Sequence, residues 1–178
     1  FFDYTSDSLK GDEVDGEAIE LGDYTEERYG ATVGFPLIKD TLFFFGAYEK
    51  KEGVRLHNYG VGFEQADLDR IAQISREVYG YDPGGFKGSS PVTDEKILAK
   101  IDWNINDQHR ASFVYNWNDG FNISESDNDS DEMPFDGHFY ERGAEIETTV
   151  VSLFSDWTDN FSTELRIGNT MLDNRQIS

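Results

Sequence analysis

The chain has no cysteine, so no disulfide framework, thiolate metal site or thiol nucleophile is open to it. It also lacks any run of about 18 apolar residues, which excludes a transmembrane helix. A membrane-spanning β-strand is not excluded, because that needs only about 9 to 11 residues, half of them apolar. Cations are scarce: Lys and Arg number 15 against 36 Asp and Glu, a formal net charge of -21. Nucleic acid and anionic membrane surfaces are repelled by such a charge and are not expected as partners. The opening Phe1-Phe2-Asp3-Tyr4 has neither a basic n-region nor an apolar h-region, so no signal peptide is visible. It reads as the tail of a strand, and the chain is expected to be a piece of a longer one.

What is abundant points to β structure. Apolar residues are only 37% of the chain, whereas aromatics reach 15% and glycines number 17, a mix suited to strands and turns rather than to a helical bundle. Tyr29 to Tyr48 reads as a hairpin: Tyr29, Ala31, Val33 and Phe35 alternate with Gly30, Thr32 and Gly34, Pro36 ends the ladder, and Leu37 to Thr41 turn. Phe43, Phe44 and Phe45 carry no alternation; Phe43, Phe45 and Ala47 are assigned to the apolar face. A second hairpin places Ile97, Ala99, Ile101, Trp103 and Ile105 on one face and, after a turn at Asn106 to His109, Ala111, Phe113, Tyr115 and Trp117 on the same face. A third carries Thr149, Val151, Leu153, Ser155 and Trp157, then Phe161, Thr163, Leu165, Ile167 and Met171 after a turn at Thr158 to Asn160. One helix is predicted from about Gln65 to Tyr79, with Leu68, Ile71, Ala72, Ser75, Val78 and Tyr79 at helical spacing and Gly80 as its cap.

The connections alternate in length. They run to about 5, 4 and 3 residues at one end of the strands and about 22, 46 and 27 at the other, far beyond ordinary loops. Strands of about 10 residues, tilted near 40°, rise about 25 Å, the height of the apolar band of an outer-membrane barrel. Aromatics mark both ends of the proposed lipid face: Phe35, Phe43, Trp103, Trp157 and Phe161 near the short turns, Tyr29, Tyr115 and Trp117 near the long loops. The opposite face offers Lys100, Asp102, Arg110, Asn116, Glu164 and Arg166 as candidates for contact with substrate in a hydrated lumen. The predicted fold is an all-β, antiparallel up-and-down meander of about seven strands, part of a large transmembrane barrel, with the helix in a long extracellular loop. A soluble, acidic, extracellular β-sandwich that binds carbohydrate, with or without calcium, has the same alternation and stays open.

Two stretches resemble TonB-dependent outer-membrane receptors of the Oar-like type: Tyr29-Gly30-Ala31-Thr32-Val33-Gly34-Phe35-Pro36-Leu37-Ile38-Lys39-Asp40 with Leu42 to Glu49, and Lys96 to Asn106 with His109-Arg110. The resemblance implies a barrel of about 22 strands in the bacterial outer membrane, of which this chain is about the first third. It further implies uptake of a bulky extracellular substrate, energised by TonB through an N-terminal part and a plug domain that this chain does not contain. Two exposed edges would then need the missing strands.

Other constellations are thin. Asp127, Asp129, Asp131 and Glu132 have the alternate carboxylates of a calcium loop, but Glu132 stands where the turn needs glycine. That loop and the acids Asp12, Glu13, Asp15, Glu17, Glu20, Asp23 and Glu26 read mainly as solvated surface. His57 and His138 lie on long loops near acids, where a barrel-rim protease would build its site; no cofactor and no catalytic residue is assigned.

Overall fold

The computed structural model describes residues 1–11, 13–14, 17–18, 24–57, 64–86, 88–125 and 134–178. Strand β1 (Phe2–Ser6) leads through a short 3-10 turn (Asp7–Leu9) to the two-residue strands β2 (Glu13–Val14) and β3 (Glu17–Ala18), then β4 (Thr25–Ile38) and β5 (Leu42–Leu56). Helix α1 (Gln65–Tyr79) follows, then β6 (Ser89–Asn104) and β7 (His109–Glu125), a second 3-10 turn (Asp136–His138), β8 (Phe139–Thr158) and β9 (Phe161–Ile177). Seven strands form one antiparallel sheet in the order β1-β4-β5-β6-β7-β8-β9, and β2 pairs only with β3. Every neighbour in the large sheet is thus the next long strand of the chain, an all-β up-and-down meander with one short helix. The sheet is open, with β9 unpaired along its outer edge.

Directly opposed residues of an antiparallel pair share a face, so the register sorts every side chain. One row runs Phe35, Phe44, Ile101, Phe113, Val151, Ile167; the row beside it on the other face runs Pro36, Phe43, Asp102, Ser112, Ser152, Arg166. The predicted alternation in β4, β6, β7, β8 and β9 matches these rows. The assignment in β5 is corrected. Phe44 lies on the apolar face, its ring 5.5 Å from that of Phe35, while Phe43 and Phe45 lie on the polar face opposite Asp102 and Lys100. Three consecutive phenylalanines hold no parity information; only the partner strands settle it.

Two further expectations change. Pro36 does not end the ladder but pairs with Phe43, with a register shift between Pro36 and Ile38. Proline is tolerated at edge strands and bulges, and here it has both, because β1 covers β4 only from Thr25 to Tyr29. The strands also outrun their apolar stretches, reaching 14 to 20 residues in β4 to β9. The polar segments Lys50–Leu56, Ser89–Glu95, Asn118–Glu125 and Phe139–Thr148 were expected in loops or at their margins and are paired strand. Three of them carry charge on both faces, which hides any period of two, and in Asn118–Glu125 polar residues stand on both faces. Cross-strand ion pairs tie them instead: Arg28 to Glu49 at 2.8 Å, Lys51 to Glu26 at 2.8 Å and Lys96 to Glu49 at 3.3 Å.

Helix α1 occupies the predicted span, and Gly80 caps it in the left-handed region (φ 65°), donating its N–H to the Ser75 carbonyl. Left-handed φ is what glycine adopts without steric cost. Only Leu68 and Ala72 of the helix are buried; Ile71, Val78 and Tyr79 are exposed.

The sheet is a single layer. Among the described residues the buried apolar side chains are Leu68, Ala72 and Phe139, with Pro83 and Pro134 in the loops, and none lies in the middle of the sheet. A sandwich buries one face against a second sheet about 10 Å away; the only other sheet among the described residues is the two-residue pair β2 and β3.

Candidate functional site

Counted from its short turn, each long strand carries on one face seven to eleven residues without Lys, Arg, Asp or Glu, on average about nine or about 30 Å of strand at ~3.3 Å per residue. These stretches run from Tyr29 to Leu37, Leu42 to Tyr48, Ile97 to Ile105, His109 to Trp117, Thr149 to Trp157 and Phe161 to Met171. The side chains are bare: Val33 is 52% exposed, Trp103 47%, Val151 47% and Ile167 64%. Charge begins at the top of the band, with Glu147 between Trp117 and Met171 and, one row further, Lys50, Glu95, Asp119, Glu145 and Asp173 side by side.

The three short turns are staggered. Leu42 pairs with Trp103, so the first hairpin closes two residues short of the second, whose Ile105 N–H reaches the His109 carbonyl at 2.9 Å. His109 pairs with Ser155, itself opposite Thr163, so the third hairpin closes two residues further on at Phe161. One residue per strand, ~3.3 Å against a strand spacing of ~4.8 Å, is a slope of about 35°. Turns lying in one plane would therefore tilt the strands by that angle and bring the uncharged band to about 25 Å, both within the range of outer-membrane barrels.

Aromatics stand at both margins of this face. Trp157 stacks edge-on against His109, with ring centres 4.9 Å apart, and donates its indole N–H to Thr163 Oγ1 at 2.9 Å. At the other margin Trp117 donates to Glu145 Oε1 at 3.0 Å and the Tyr48 hydroxyl to Glu95 Oε1 at 2.8 Å. Each amphipathic ring has its apolar body in the band and its polar atom on a hydrophilic partner. Phe35, Trp103, Tyr115 and Phe161 share this face; Phe43, expected with them, does not.

The six residues singled out for substrate contact all fall on the opposite face. They form one belt across β6, β7 and β9, at the height of the apolar band. Lys100 Nζ pairs with Asp102 Oδ2 at 2.8 Å, and Arg166 Nη2 with Glu164 Oε1 at 2.8 Å. Arg110 lies over the Phe154 ring at 5.0 Å and has no carboxylate partner among the described residues. Lys100, Asp102, Asn104, Arg110, Ser112 and Phe154 line one recess. Asn116 sits higher, between Leu98 and Thr148. Phe43, Phe45 and Phe154 were not anticipated in this belt. The signal for Phe154 was present, since it alternates out of the Val151, Leu153, Ser155 series.

The long-loop end holds a second cluster. The His57 side chain is 1% exposed; Nδ1 faces Glu125 Oε1, Nε2 lies 2.6 Å from Ser90 Oγ, and the ring meets Phe139 edge-on at 5.1 Å. A serine, a histidine and a carboxylate in that order resemble a hydrolase triad, but here Ser90 is buried, at 2% exposure. The cluster ties loops: the Asp136 N–H reaches the Gly85 carbonyl at 2.9 Å, the Gly85 N–H reaches Asp136 Oδ2 at 2.8 Å, and Phe86 bridges Phe135. His138, the other histidine considered for a rim protease, is exposed and outside this arrangement. Beyond the helix, the Gly84 N–H and then Arg76 hold the Asp82 carboxyl below its ordinary value of 3.8. The candidate calcium ligands Asp127, Asp129, Asp131 and Glu132 lie outside the described residues, and among the described residues no three His, Asp or Glu side chains are grouped to hold a metal ion. Among the described residues no helix is long and apolar enough to cross a membrane, which says nothing about strands.

Comparison of the chain with protein-family models, with curated proteins and with solved structures returned no match.

Proposed function

We propose that this chain is part of an outer-membrane β-barrel receptor that takes up an extracellular substrate, with the apolar face against lipid and the polar face lining the lumen. The observation that carries the proposal is the uncovered band, free of Lys, Arg, Asp and Glu, that runs seven to eleven residues from each short turn. In water, an exposed apolar surface spanning six strands would drive aggregation; in a bilayer it is the surface that lipid requires. The register slope, the amphipathic aromatics at both margins and the ion-paired opposite face support the same reading. The single layer supports it over the soluble carbohydrate-binding sandwich.

Placement in the bacterial outer membrane, with the long loops and α1 outside the cell, rests on the asymmetry of connections. Energy coupling through TonB rests on the resemblance of the two hairpins alone. Transport, not catalysis, is the activity proposed.

Insertion tests the proposal. Phe113 lies mid-band on the apolar face and Ser112 beside it on the polar face. Arginine at the bilayer midplane costs about 2 to 4 kcal/mol. Phe113→Arg should abolish or sharply reduce assembly of the full-length protein into outer-membrane vesicles, measured as urea-resistant membrane fraction, while Ser112→Arg assembles normally. Equal assembly of the two variants would contradict the facing.

A further inference from the structure

The belt on the polar face contains an arrangement that ion pairing does not explain. Phe43 and Phe45 stand on this hydrated face, 37% and 41% exposed, although Phe44 between them has the apolar face available. They flank the row of Asp102 and Ser112 and the row of Lys100 and Val114. Two strands away Arg110 lies on the Phe154 ring. A guanidinium held over a ring face keeps N–H donors for a planar anion, which an ammonium matches less well. Lys100 and Arg166 are each committed to a carboxylate, so Arg110 is the cation of the belt that still offers its charge. Ser112, at the floor of the same recess, adds a hydroxyl.

We propose that this part of the belt is a binding subsite for a ligand with an apolar, ring-like body and an anionic head, such as an aryl carboxylate. Phe43 and Phe45 take the body and Arg110, set by Phe154, takes the carboxylate. At a strand spacing of ~4.8 Å and ~3.3 Å per residue, Phe43 and Phe45 lie two strands and two and four residues from Arg110, about 12 and 16 Å between backbones, a gap that their side chains and a two-ring acid span together. The proposal rests on the lumen reading of the polar face, in that a barrel interior gives the ligand access to it.

The test uses 2-naphthoate and its neutral twin 2-naphthylmethanol, titrated by calorimetry against the full-length protein in nanodiscs, with empty nanodiscs as blank. The acid should bind saturably and at least about tenfold more tightly than the alcohol, an increment that one charge-assisted bidentate contact supplies. Arg110→Ala should remove the preference for the acid, Arg110→Lys should restore little of it, and Phe45→Ala should weaken both probes about equally. Val151→Ala, on the opposite face, should change nothing. No saturable binding of the acid, equal binding of the two probes, or insensitivity to Arg110→Ala would overturn the proposal. A barrel that inserts with the assigned facing but shows any of these results loses the subsite and keeps the transport reading; failure of Phe113→Arg and Ser112→Arg to differ removes the latter.

Discussion

Gly30 and Gly34 sit four residues apart in β4 and differ in what a side chain would meet. A Cβ at Gly30 would collide with the Tyr48 carbonyl oxygen, which is backbone and cannot swing away. One at Gly34 would meet the Phe45 ring at 3.4 Å, an ordinary contact. Gly30→Ala should therefore destabilise the β4 and β5 pairing by about 1 to 3 kcal/mol, while Gly34→Ala should be close to neutral. Urea unfolding of the two variants in the same lipid checks the contrast. Asp82 gives a second residue-scale prediction. Its carboxyl is held low in the folded state, so the linked stability is present above 3.8 and is lost as pH falls through the lower, folded value. Lowering pH should loosen the C-terminal end of α1 only below about pH 4, and Asp82→Asn should abolish that pH dependence, both read from amide exchange at Gly84, whose N–H lies 3.2 Å from Asp82 Oδ1.

Among the elements, the hairpins of β6, β7, β8 and β9 were legible because alternate apolar residues are a direct record of facing. β5 was not, since Phe43 to Phe45 satisfy either parity and the decision falls to Asp102, Lys100 and Gly34 on the neighbouring strands. The upper halves of the strands were hidden for a related reason: with Glu49, Lys50, Lys51 and Glu52 in succession, charge on both faces reads as loop until the partners Arg28, Glu26 and Lys96 are in register. The six lumen candidates could be named from alternation, but not that Arg110 would stand on Phe154 or that His57 would join Ser90 to Glu125, because each contact joins strands or loops far apart in the chain. That last cluster carries an element-scale prediction. Replacing His57 by Ala leaves buried Ser90 without the ring that it hydrogen-bonds, a loss of about 1 to 3 kcal/mol, and should uncouple the loop after β5 from the loop before β8. Exchange at the Asp136 amide, which bonds the Gly85 carbonyl, should accelerate in His57→Ala while exchange at Phe113 stays slow.

At the scale of the whole molecule, the described residues form a sheet with no interior of its own. Its stability has to come from what covers the apolar face and from the strands that would pair with β9 and with the uncovered part of β4. In this account lipid is the cover, and that claim is directly measurable by site-directed labelling, for which this chain has no cysteine of its own to compete with an introduced one. Nitroxides placed singly at Phe113, Val151 and Ile167 on one face, and at Ser112, Ser152 and Arg166 on the other, would be read by power-saturation spectroscopy of the full-length protein in bilayers. The account predicts that the first three collide preferentially with oxygen, which concentrates in lipid, and the second three with a water-soluble nickel chelate. A pattern that does not alternate with the register, or a face of Phe113, Val151 and Ile167 open to the nickel reagent, would contradict it.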